Sequence, residues 1–540
     1  MATPSLIALI FLLSALYAVT KSIYTRVHRY QKAKALGCRP PTKAPSGFLG
    51  WEAYKQGVKA VRASKILELM WNIHLEHGNT FQRTVLGVSA IVTTEPENIK
   101  SILATKFKDF SLGKRNQMFY PLLGDGIFTL DGAGWSHSRT MLRPQFSRDQ
   151  IADVGMLGDH VDQLIALMPR DGSAFDIQEL FFRLTLDTAT EFLFGESTNS
   201  LAADKRSSSS GGGGGGGGGA LANISDDQDF AEAFNRSLDY LAARIRAQRL
   251  YWLVNSSESR KMIKVIHDIV DYYVDKALAR RQHATDQEKY IDSSSAPSSS
   301  SFSSKYIFLD AMARETQDRK TLRDQMLHLL LAGRDTTASL LSSSFFYLSR
   351  HPRVWNRLRE DILSVFPPSE TSPAAADDIT IARIRDVRYL RQFLNEVLRL
   401  APPVPLNSRW AVADTTLPVG GGPDGKSPVF IPKGQRVMYM INNMHRRRDL
   451  WGDDALEFRP ERWEEKGKHG WEYLPFNGGP RICLGQQYAL TEASYVLVRL
   501  LQRFDSVENA QPEIAEPRIR FSLTASHAFG VKVKVFPSEK

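Results

Sequence analysis

One cysteine near the C-terminus has neighbours whose types and spacing suggest chemistry. Cys483 lies in the stretch FNGGPRICLG, and the chain of 540 residues has only one other cysteine, Cys38. Gly478 and Gly479 allow a tight turn before Cys483, and the predicted helix after it directs its positive end towards the sulfur, which favours the thiolate. The residue could therefore be a nucleophile or a metal ligand, although most free cysteines are small buried hydrophobic residues.

An acid and an alcohol stand side by side in a long apolar stretch. Asp335 and Thr336 belong to AGRDTT, where the small Ala332 and Gly333 leave room on one face and weaken the helix locally. We expect Thr336 to bend out of the regular helical hydrogen bonding. A neighbouring acid and alcohol can deliver protons to a buried site, but Gly-x-Asp-Thr is also common as a polar break in a helix.

Further charged residues have spacings that fit a helix. Glu396 and Arg399 are an i, i+3 pair in FLNEVLRL, and alone they would be a surface ion pair worth roughly 0.2–0.5 kcal/mol. FRPERW follows later in the chain and offers Arg462. Trp135 and Arg139 are one helical turn apart, so both can face the same group.

In their residues and their order, these motifs resemble those of the cytochrome P450 family. Phe476, Gly479, Arg481, Cys483 and Gly485 match every fixed position of its haem-ligand signature, F-x-x-G-x-R-x-C-x-G. The other motifs precede this signature along the chain in the order that the family shows, so the resemblance covers nearly the whole chain. It implies the cytochrome P450 fold and haem b as the cofactor.

The resemblance implies a role for each motif. Cys483 would be the axial thiolate ligand of the haem iron. The residues that would contact the cofactor elsewhere are Trp135, Arg139, Arg409, Phe476, Arg481 and Gly485. The expected catalytic residues are Asp335 and Thr336, as a proton relay. Glu396, Arg399 and Arg462 would form a buried, fully paired network that is structural and not catalytic.

The implied reaction is a monooxygenation. One atom of O2 enters a C–H bond of a lipophilic substrate, and the other is reduced to water with NADPH electrons delivered by a flavin-containing NADPH–cytochrome reductase. A haem-thiolate isomerase or a peroxide-using enzyme needs no such relay, so the pair Asp335 and Thr336 argues against both. A cysteine hydrolase would need a histidine base near Cys483, and nothing in the sequence indicates one.

Finer details resemble the fungal alkane and fatty-acid hydroxylase branch, which acts at or near the terminal carbon of long chains. The stretches concerned are LGCRPP, LLAGRDTTA and residues 476–502. The pocket walls expected by analogy are residues 113–128, 328–332, 404–407 and 523–525. They contain no charge obviously placed to hold a carboxylate. Alkane, fatty acid and an unrelated lipophile such as a fungal secondary metabolite therefore stay open.

Helical periodicity dominates between the motifs. Helices are predicted over residues 229–249, 261–281, 321–350 and 387–400, and short β-like runs over 81–94, 436–442 and 531–536. We therefore expect a mainly α protein with small β-sheets. The net charge of +10 fits an acidic partner or an anionic membrane surface. No basic block interleaved with aromatic residues indicates a nucleic-acid site.

The N-terminus is typical of a membrane anchor. Residues 1–20 contain no charged side chain and are about long enough to cross a bilayer as a helix. Basic residues follow, with no acid before Glu52, so the rest of the chain should lie in the cytosol. We expect a single-pass protein of the endoplasmic reticulum membrane, with its catalytic domain on the cytosolic face.

The predicted organisation is a transmembrane anchor at 1–20, a basic and proline-rich connector at 21–50 and a haem-binding catalytic domain at 51–540. Low-complexity segments at 205–225 and 290–305 have too few apolar groups to offset the entropy of ordering. We interpret them as surface insertions; linkers between separate domains are the alternative. His137 and the HRRRD cluster match no role, and exposed or packed polar residues are the interpretation for both.

Overall fold

The computed structural model describes residues 4–146, 155–202, 227–291, 306–367, 379–465 and 469–538. The predicted insertion at 205–225 lies outside these residues, as does the insertion at 290–305 except for its first two positions. The helices of the described residues are α1 (Pro4–Ala35), α2 (Trp51–Arg62), α3 (Ile66–His77), α4 (Pro96–Lys100), α5 (Arg115–Leu123), α6 (Gly132–Leu142), α7 (Gly155–Leu167), α8 (Ile177–Phe194), α9 (Asp227–Arg246), α10 (Ser257–Ile291), α11 (Phe308–Glu315), α12 (Arg319–Leu348), α13 (Pro352–Val365), α14 (Ile381–Ile384), α15 (Arg388–Leu400), α16 (Ile441–Met444), α17 (Arg448–Trp451), α18 (Arg462–Glu465) and α19 (Gln486–Arg503).

Short strands form small sheets beside the helices. They are β1 (Thr42–Lys43), β2 (Thr80–Val85), β3 (Val88–Thr93), β4 (Phe110–Ser111), β5 (Phe175–Asp176), β6 (Leu406–Ala411), β7 (Thr415–Gly421), β8 (Ser427–Ile431), β9 (Arg436–Met440), β10 (Phe504–Asn509), β11 (Ile519–Phe521), β12 (Ala525–His527) and β13 (Lys532–Pro537). The largest sheet has the order β1-β2-β3-β9-β6-β4, with β1/β2 and β3/β9 parallel. The prediction of a mainly helical protein with small sheets is confirmed.

The β-like run at 81–94 is a hairpin, β2 and β3, with a turn of two residues between them. Leu86 and Gly87 have φ of 48° and 71°, the left-handed values that a tight hairpin turn requires. Val85 pairs with Val88 next to the turn. The turn therefore fixes the register of β2 against β3, and the register decides which of their side chains lie on the same face of the sheet.

The long helix α12 runs through the centre of the fold. Asp318 caps its N-terminus, because its carboxylate accepts a hydrogen bond from the backbone N–H of Thr321 at 2.9 Å. Residues 322–331 pack with α8, α9, α10 and α11 in one hydrophobic cluster, and residues 338–348 pack with α13, α15 and α19 in another. Between the two clusters, Ala332, Gly333, Thr336 and Thr337 border a cavity.

The N-terminal helix is longer than predicted. It extends from Pro4 to Ala35 because no proline interrupts the chain between Pro4 and Pro40, so the basic part of the predicted connector is helical. The predicted span at 1–20 lies partly outside the described residues, since 1–3 are not described. Within the described part of the chain, no helix has both the length and the apolar character needed to cross a membrane.

Candidate active site

Cys483 is presented by a tight loop that ends at the start of α19. Its backbone N–H donates to the carbonyl of Phe476 at 3.0 Å. Gly479 has a φ of 67°, and a Cβ at this position would lie 2.0 Å from the carbonyl oxygen of Leu103. Glycine is required there, because any side chain would collide with the backbone of a neighbouring segment.

The other glycines of the motif are under weaker constraints. Gly478 is extended, but a Cβ would come within 2.9 Å of the Trp471 ring. Gly485 precedes α19 with an ordinary φ of −85°, and its Cβ would meet Phe146 at a normal contact distance of 3.6 Å. The protein's own atoms therefore explain Gly479 and, in part, Gly478, but they do not explain Gly485.

The Cys483 side chain faces an internal cavity. A water-sized molecule can reach it, although protein atoms surround it on almost every side. Burial raises the pKa of its thiol, and the backbone N–H of Gly485 and the charge of Arg139 offset this only in part. The preference for thiolate expected from the helix dipole is thus outweighed. A bound metal ion, however, deprotonates a coordinating thiol outright.

The cavity has a volume of about 1460 Å³ and lies between Cys483 and the middle of α12. This exceeds the range of about 300–1,000 Å³ that is usual for a pocket holding one small ligand. Each of the predicted wall segments, residues 113–128, 328–332, 404–407 and 523–525, contributes to the lining. Most of the lining is apolar, including Phe119, Leu329 and Leu523. The cavity is large enough to hold a cofactor together with an apolar substrate.

Helix α6 brings Trp135 and Arg139 to the cysteine loop. Arg139 donates to the carbonyl of Ile482 at 2.9 Å. Arg481 donates to Asp131 at 2.8 Å, and its guanidinium carbon lies 4.5 Å from the centre of the Trp135 ring, within cation–π range. The structure therefore places Trp135, Arg139 and Arg481 together beside the loop.

Two more arginines approach the cavity, Arg115 from the start of α5 and Arg409 from β6. Arg115 donates to the side-chain oxygen of Asn407 at 2.6 Å, and Arg409 donates to the same oxygen at 3.2 Å. Burial, followed by the charge of Arg409, lowers the pKa of Arg115 to about 9. The sequence interpretation did not assign Arg115 to the site. Its place in the expected wall segment 113–128 was the available signal.

This cluster of arginines fits a haem. Among the bonds described above, Asp131 is the only carboxylate that accepts a hydrogen bond from a guanidinium. Arg115, Arg139 and Arg409 donate to neutral oxygens. Cations held together away from water repel each other, so the cluster favours an anionic group. Haem b has anionic propionates on a flat ring and an iron that a cysteine can bind.

Helix α12 presents Thr336 to the cavity without a break in its regular structure. The Thr336 hydroxyl donates to the carbonyl of Ala332 at 2.6 Å, so the expected departure from the helical ladder is not seen. This bond to the i−4 carbonyl satisfies the hydroxyl within the helix. Asp335 instead lies 3.3 Å from Arg334 and accepts from Thr524 at 3.4 Å. Burial raises the pKa of Asp335, and Arg334 partly offsets this.

The structure brings Glu396, Arg399 and Arg462 together in the interior. Arg399 donates to both oxygens of Glu396, at 2.9 and 2.8 Å, and Arg462 donates to one of them at 2.9 Å. The Trp463 indole N–H and the Arg459 backbone N–H complete the contacts of the carboxylate, at 3.0 and 2.9 Å. The charges are thus fully paired although the side chains are inaccessible to solvent.

His445, from the HRRRD cluster, joins this network to the cysteine loop. Its Nε2 accepts from the backbone N–H of Leu474 at 2.9 Å, so its Nδ1 donates to the carbonyl of Arg399 at 3.1 Å. Burial, followed by the charge of Arg399, lowers the pKa of His445 to about 3, and the ring stays neutral. His137 lies exposed on α6. His445 is thus a packed polar residue and His137 an exposed one.

A buried acid on α19 was missed by the sequence interpretation. Glu492 accepts from the Thr188 hydroxyl of α8 at 2.6 Å. Burial raises the pKa of Glu492 from 4.5 to about 7. The nearby His160 and Glu191 form a pair at 2.5 Å. A single acid on the otherwise apolar face of TEASYVLV was the available signal.

A mainly helical fold, a cysteine facing a large apolar cavity and a cationic cluster beside it define the class of haem-thiolate enzymes. The family model described as "Cytochrome P450" matches residues 45–529. Cytochrome P450 52A6 of Candida tropicalis is 46% identical over 541 residues, covering 98% of this chain and 96% of the relative. Cytochrome P450 52A4 of Candida maltosa is 49% identical over 455 residues, covering 84% and 80%. Cytochrome P450 52A12 of Debaryomyces hansenii is 45% identical over 510 residues, covering 93% of each.

The chain belongs to the cytochrome P450 family. It is a monooxygenase whose cofactor is haem b, bound through a cysteine thiolate. Members of this family receive electrons from a redox partner and act with O2 on lipophilic substrates.

Proposed function

We propose that the protein is a membrane-bound monooxygenase that hydroxylates a long-chain alkane or fatty acid at or near its terminal carbon. The observation that supports this most directly is the apolar cavity of about 1460 Å³, which Cys483 and Thr336 both line. A long, unbranched and flexible chain suits walls that are mostly apolar. The motifs that resemble the fungal alkane and fatty-acid hydroxylase branch support the same substrate class.

Residues on the cysteine side hold the cofactor. Cys483 would bind the haem iron through its sulfur, and Gly479 fixes the turn that presents it. Haem b, when bound, supplies the oxygen activation that inserts one oxygen atom into a C–H bond. Arg115, Arg409 and Arg481 would bind the propionates, because their charges lie close enough to repel one another and, among the residues that the structure describes, only Arg481 of the three contacts a carboxylate, that of Asp131. Trp135, Arg139, Phe476 and Gly485 complete the cofactor contacts.

Residues on the α12 side handle protons and exclude water. Thr336 holds a hydroxyl at the cavity wall, and Asp335 stores a proton behind it, because burial favours the protonated carboxyl. The proton must pass from Asp335 to the Thr336 hydroxyl, which requires Thr336 to exchange its bond to Ala332 for a new partner. The apolar walls keep bulk water away from this exchange.

The electron donor is a flavin-containing NADPH–cytochrome reductase. The net charge of +10 suits an acidic partner surface. Arg143 is exposed just after α6. Burial lowers the pKa of Arg139 and the charge of Arg143 lowers it further, so Arg143 lies near Arg139 and the cysteine loop. Arg143→Glu should slow the first electron transfer from the reductase, and the difference from the unmodified protein should shrink as salt is added. A salt-independent rate would contradict this docking face.

The N-terminal helix attaches the protein to the endoplasmic reticulum membrane, with the catalytic domain in the cytosol. Leu9, Phe11 and Leu12 of α1 are between 51% and 73% exposed, so the fold leaves an apolar surface for lipid. Phe48 and Trp252, which lie on segments beside the cavity, are also exposed. Removing residues 1–20 should move the protein from the membrane to the supernatant in alkaline carbonate extraction. Full-length protein in the supernatant would contradict the anchor.

The reaction can be tested directly with purified protein, reductase, NADPH and O2. We expect hexadecane or hexadecanoate to give products hydroxylated at or near the terminal carbon, in amounts that follow NADPH oxidation. The reduced carbon monoxide complex should show the absorption of thiolate-ligated haem. Turnover with peroxide alone and none with NADPH and reductase would contradict the proposed electron source.

A further inference from the structure

Two arginines, Arg83, which is buried, and Arg436, which is partly buried, lie on one face of the largest sheet, at the part of the cavity formed by α2, β2 and β3. Arg83 on β2 pairs with Ala90 on β3, and Ala90 pairs with Arg436 on β9. Residues in register on neighbouring strands point to the same face, so both arginines flank the small side chain of Ala90. Strands two positions apart in a sheet are separated by roughly 9–10 Å. All three residues line the cavity.

Neither guanidinium is neutralised by an acid. Arg83 is 5% exposed and donates one N–H to Gln56 at 3.2 Å, while its Nε and other terminal nitrogen have no partner. Arg436 donates to Gln248 at 3.2 Å, and its Nε has no partner. Burial is the sole cause that lowers the pKa of Arg83, and it lowers that of Arg436 to about 10. Within the described residues, neutral amides hold both cations.

An uncompensated buried cation is costly, so its retention needs a reason. Gln248, which accepts the hydrogen bond from Arg436, has a left-handed φ of 51°. This backbone conformation adds a cost in free energy for a residue other than glycine. The charge of Arg436 also lowers the pKa of Arg115, so the two cations repel each other. The costs of the unpaired charges and of their mutual repulsion fall if an anion binds between Arg83 and Arg436.

The propionates of haem are assigned to different arginines. Arg409 pairs in register with Val437, whereas Arg436 pairs with Trp410. Successive residues of a strand point to opposite faces, so Arg409 and Arg436 lie on opposite faces of the sheet. Arg83, two strands from Arg436, shares the face of Arg436 and not that of Arg409.

We propose that Arg83 and Arg436 bind the carboxylate of a long-chain fatty acid, which makes the acid, and not the alkane, the preferred substrate. This inference rests on the proposed function. The unpaired N–H groups suit the two-oxygen geometry of a carboxylate. Val58 and Val61 of α2, with Val85 of β2, line the same part of the cavity and suit the first methylene groups. With the carboxylate held there, the terminal carbon points towards Thr336.

The test compares binding of hexadecanoate, hexadecane and 1-hexadecanol to the full-length holoenzyme. Arg83→Met and Arg436→Met remove each charge and keep most of the side-chain volume. A lost hydrogen bond between charged groups should raise the Kd of hexadecanoate by about 10- to 100-fold, with little change for hexadecane and 1-hexadecanol. The Kd is measured by the change in haem absorption and by calorimetry.

Two matched variants separate the anchor from simpler causes. Arg249→Met removes an exposed charge that also lines the cavity, and it should leave the Kd of hexadecanoate unchanged. Arg83→Lys retains the charge without the forked geometry and should give an intermediate Kd. Arg83→Met should fold and take up haem at least as well as the unmodified protein, because it removes an unpaired buried charge.

The product distribution gives an independent readout. Loss of the anchor should shift hydroxylation of hexadecanoate from the terminal carbon to in-chain positions, while hexadecane products stay unchanged. Equal weakening of acid, alcohol and alkane in Arg83→Met and Arg436→Met would overturn the anchor, as would an unchanged Kd for the acid.

Failure of the anchor can be told apart from failure of the proposed function. Hydroxylation of hexadecane with no preference for the acid would overturn the anchor and leave the proposed function standing. Binding of hexadecanoate that depends on Arg83 and Arg436, without turnover of either compound, would support the anchor and overturn the proposed function.

Discussion

Two groups of charged side chains inside this protein differ in how completely they are paired. Around Glu396, the carboxylate is surrounded by guanidinium, indole and backbone donors, and the cations Arg399 and Arg462 each reach it. At the cavity, Arg83 and Arg436 contact neutral amides only and retain unpaired N–H groups. A buried charge with a full set of partners stabilises one arrangement of the chain, whereas a buried charge without them indicates a place for a ligand.

The two sides of the cavity differ in the same sense. On the cysteine side, Gly479 permits one backbone path and His445 ties the loop to Arg399. On the α12 side, the Thr336 hydroxyl has a bond that it can exchange. We therefore expect the cysteine side to be rigid and the Thr336 side to change hydrogen-bond partners in the proposed proton relay.

The largest effect is expected from replacing the cysteine. Cys483→Ala should abolish monooxygenase activity and the thiolate-type absorption of the reduced carbon monoxide complex, because no other group at the loop can ligate iron in its place. Cys38→Ala, which changes the other cysteine, should leave both unchanged. An unmodified spectrum in Cys483→Ala would show that the ligand is another residue.

Thr336→Val tests the proposed proton relay on the α12 side of the cavity. It keeps the shape of the side chain but removes the hydroxyl, so proton delivery should fail while electrons still arrive. General acid–base groups contribute about 10²–10⁴-fold, and product formation should fall within that range while NADPH oxidation continues. Thr336→Ser, which keeps the hydroxyl, should retain most of the coupling between NADPH and product. Full coupling in Thr336→Val would contradict the relay.

Glu396→Gln tests the buried network in which the charges are paired. It leaves Arg399 buried without its anion and leaves Arg462 with Asp454 as its remaining carboxylate, and breaking such a group costs about 3–5 kcal/mol of unfolding free energy. The measurement is the urea midpoint of haem retention, together with haem content. Asp268→Asn, in the exposed pair with Lys264, should change stability by less than about 0.5 kcal/mol. Equal effects of the two changes would mean that the buried network adds no more than a surface pair.

The smallest expected effect concerns Glu492, whose pKa is raised from 4.5 to about 7 by burial. The folded protein therefore holds a proton that the unfolded chain releases, so this stabilisation is complete below pH 4.5 and is lost as pH rises to about 7. The loss is on the order of 3 kcal/mol. The groups that face Glu492 are Thr188, Thr337 and the pair His160 and Glu191.

The check is the slope of unfolding free energy against pH. Glu492→Gln should lack the decline between pH 4.5 and 7 that the unmodified protein shows, whereas Glu508→Gln, an exposed acid on β10, should retain it. Identical slopes in all three proteins would mean that Glu492 is ionised in the folded state.

The predictions made from sequence succeeded where the signal is local. The helices predicted over 229–249, 261–281, 321–350 and 387–400 correspond to α9, α10, α12 and α15, because apolar periodicity follows directly from which face of a helix is buried. The β-like run predicted at 81–94 corresponds to β2 and β3, although the sequence did not predict that they form a hairpin. The helical conformation of the connector was missed, since the prolines that suggested an extended chain begin only at Pro40.

Part of the candidate site could be predicted in the same way. The cysteine motif, Glu396 with Arg399, and Trp135 with Arg139 are defined by spacings within one turn or one helix. The family, its haem-thiolate chemistry and its monooxygenase activity followed from these residues. The chain by itself determined these features because neighbours in sequence stay neighbours in any fold that keeps the local element.

Only the tertiary structure decided the rest. Arg115, at the start of α5, joins the proposed haem arginines because packing brings it to Asn407 of β6. Arg83 comes to share a face with Arg436 through the register of β3 and β9, which lie hundreds of residues apart in the chain. Whether a charge is paired or unpaired depends on every group packed around it, and no spacing along the chain specifies that. The same cause hid Glu492, whose raised pKa comes from burial between helices. Pairing and burial are properties of the packed molecule, and they decide which charges stabilise the fold and which bind a ligand.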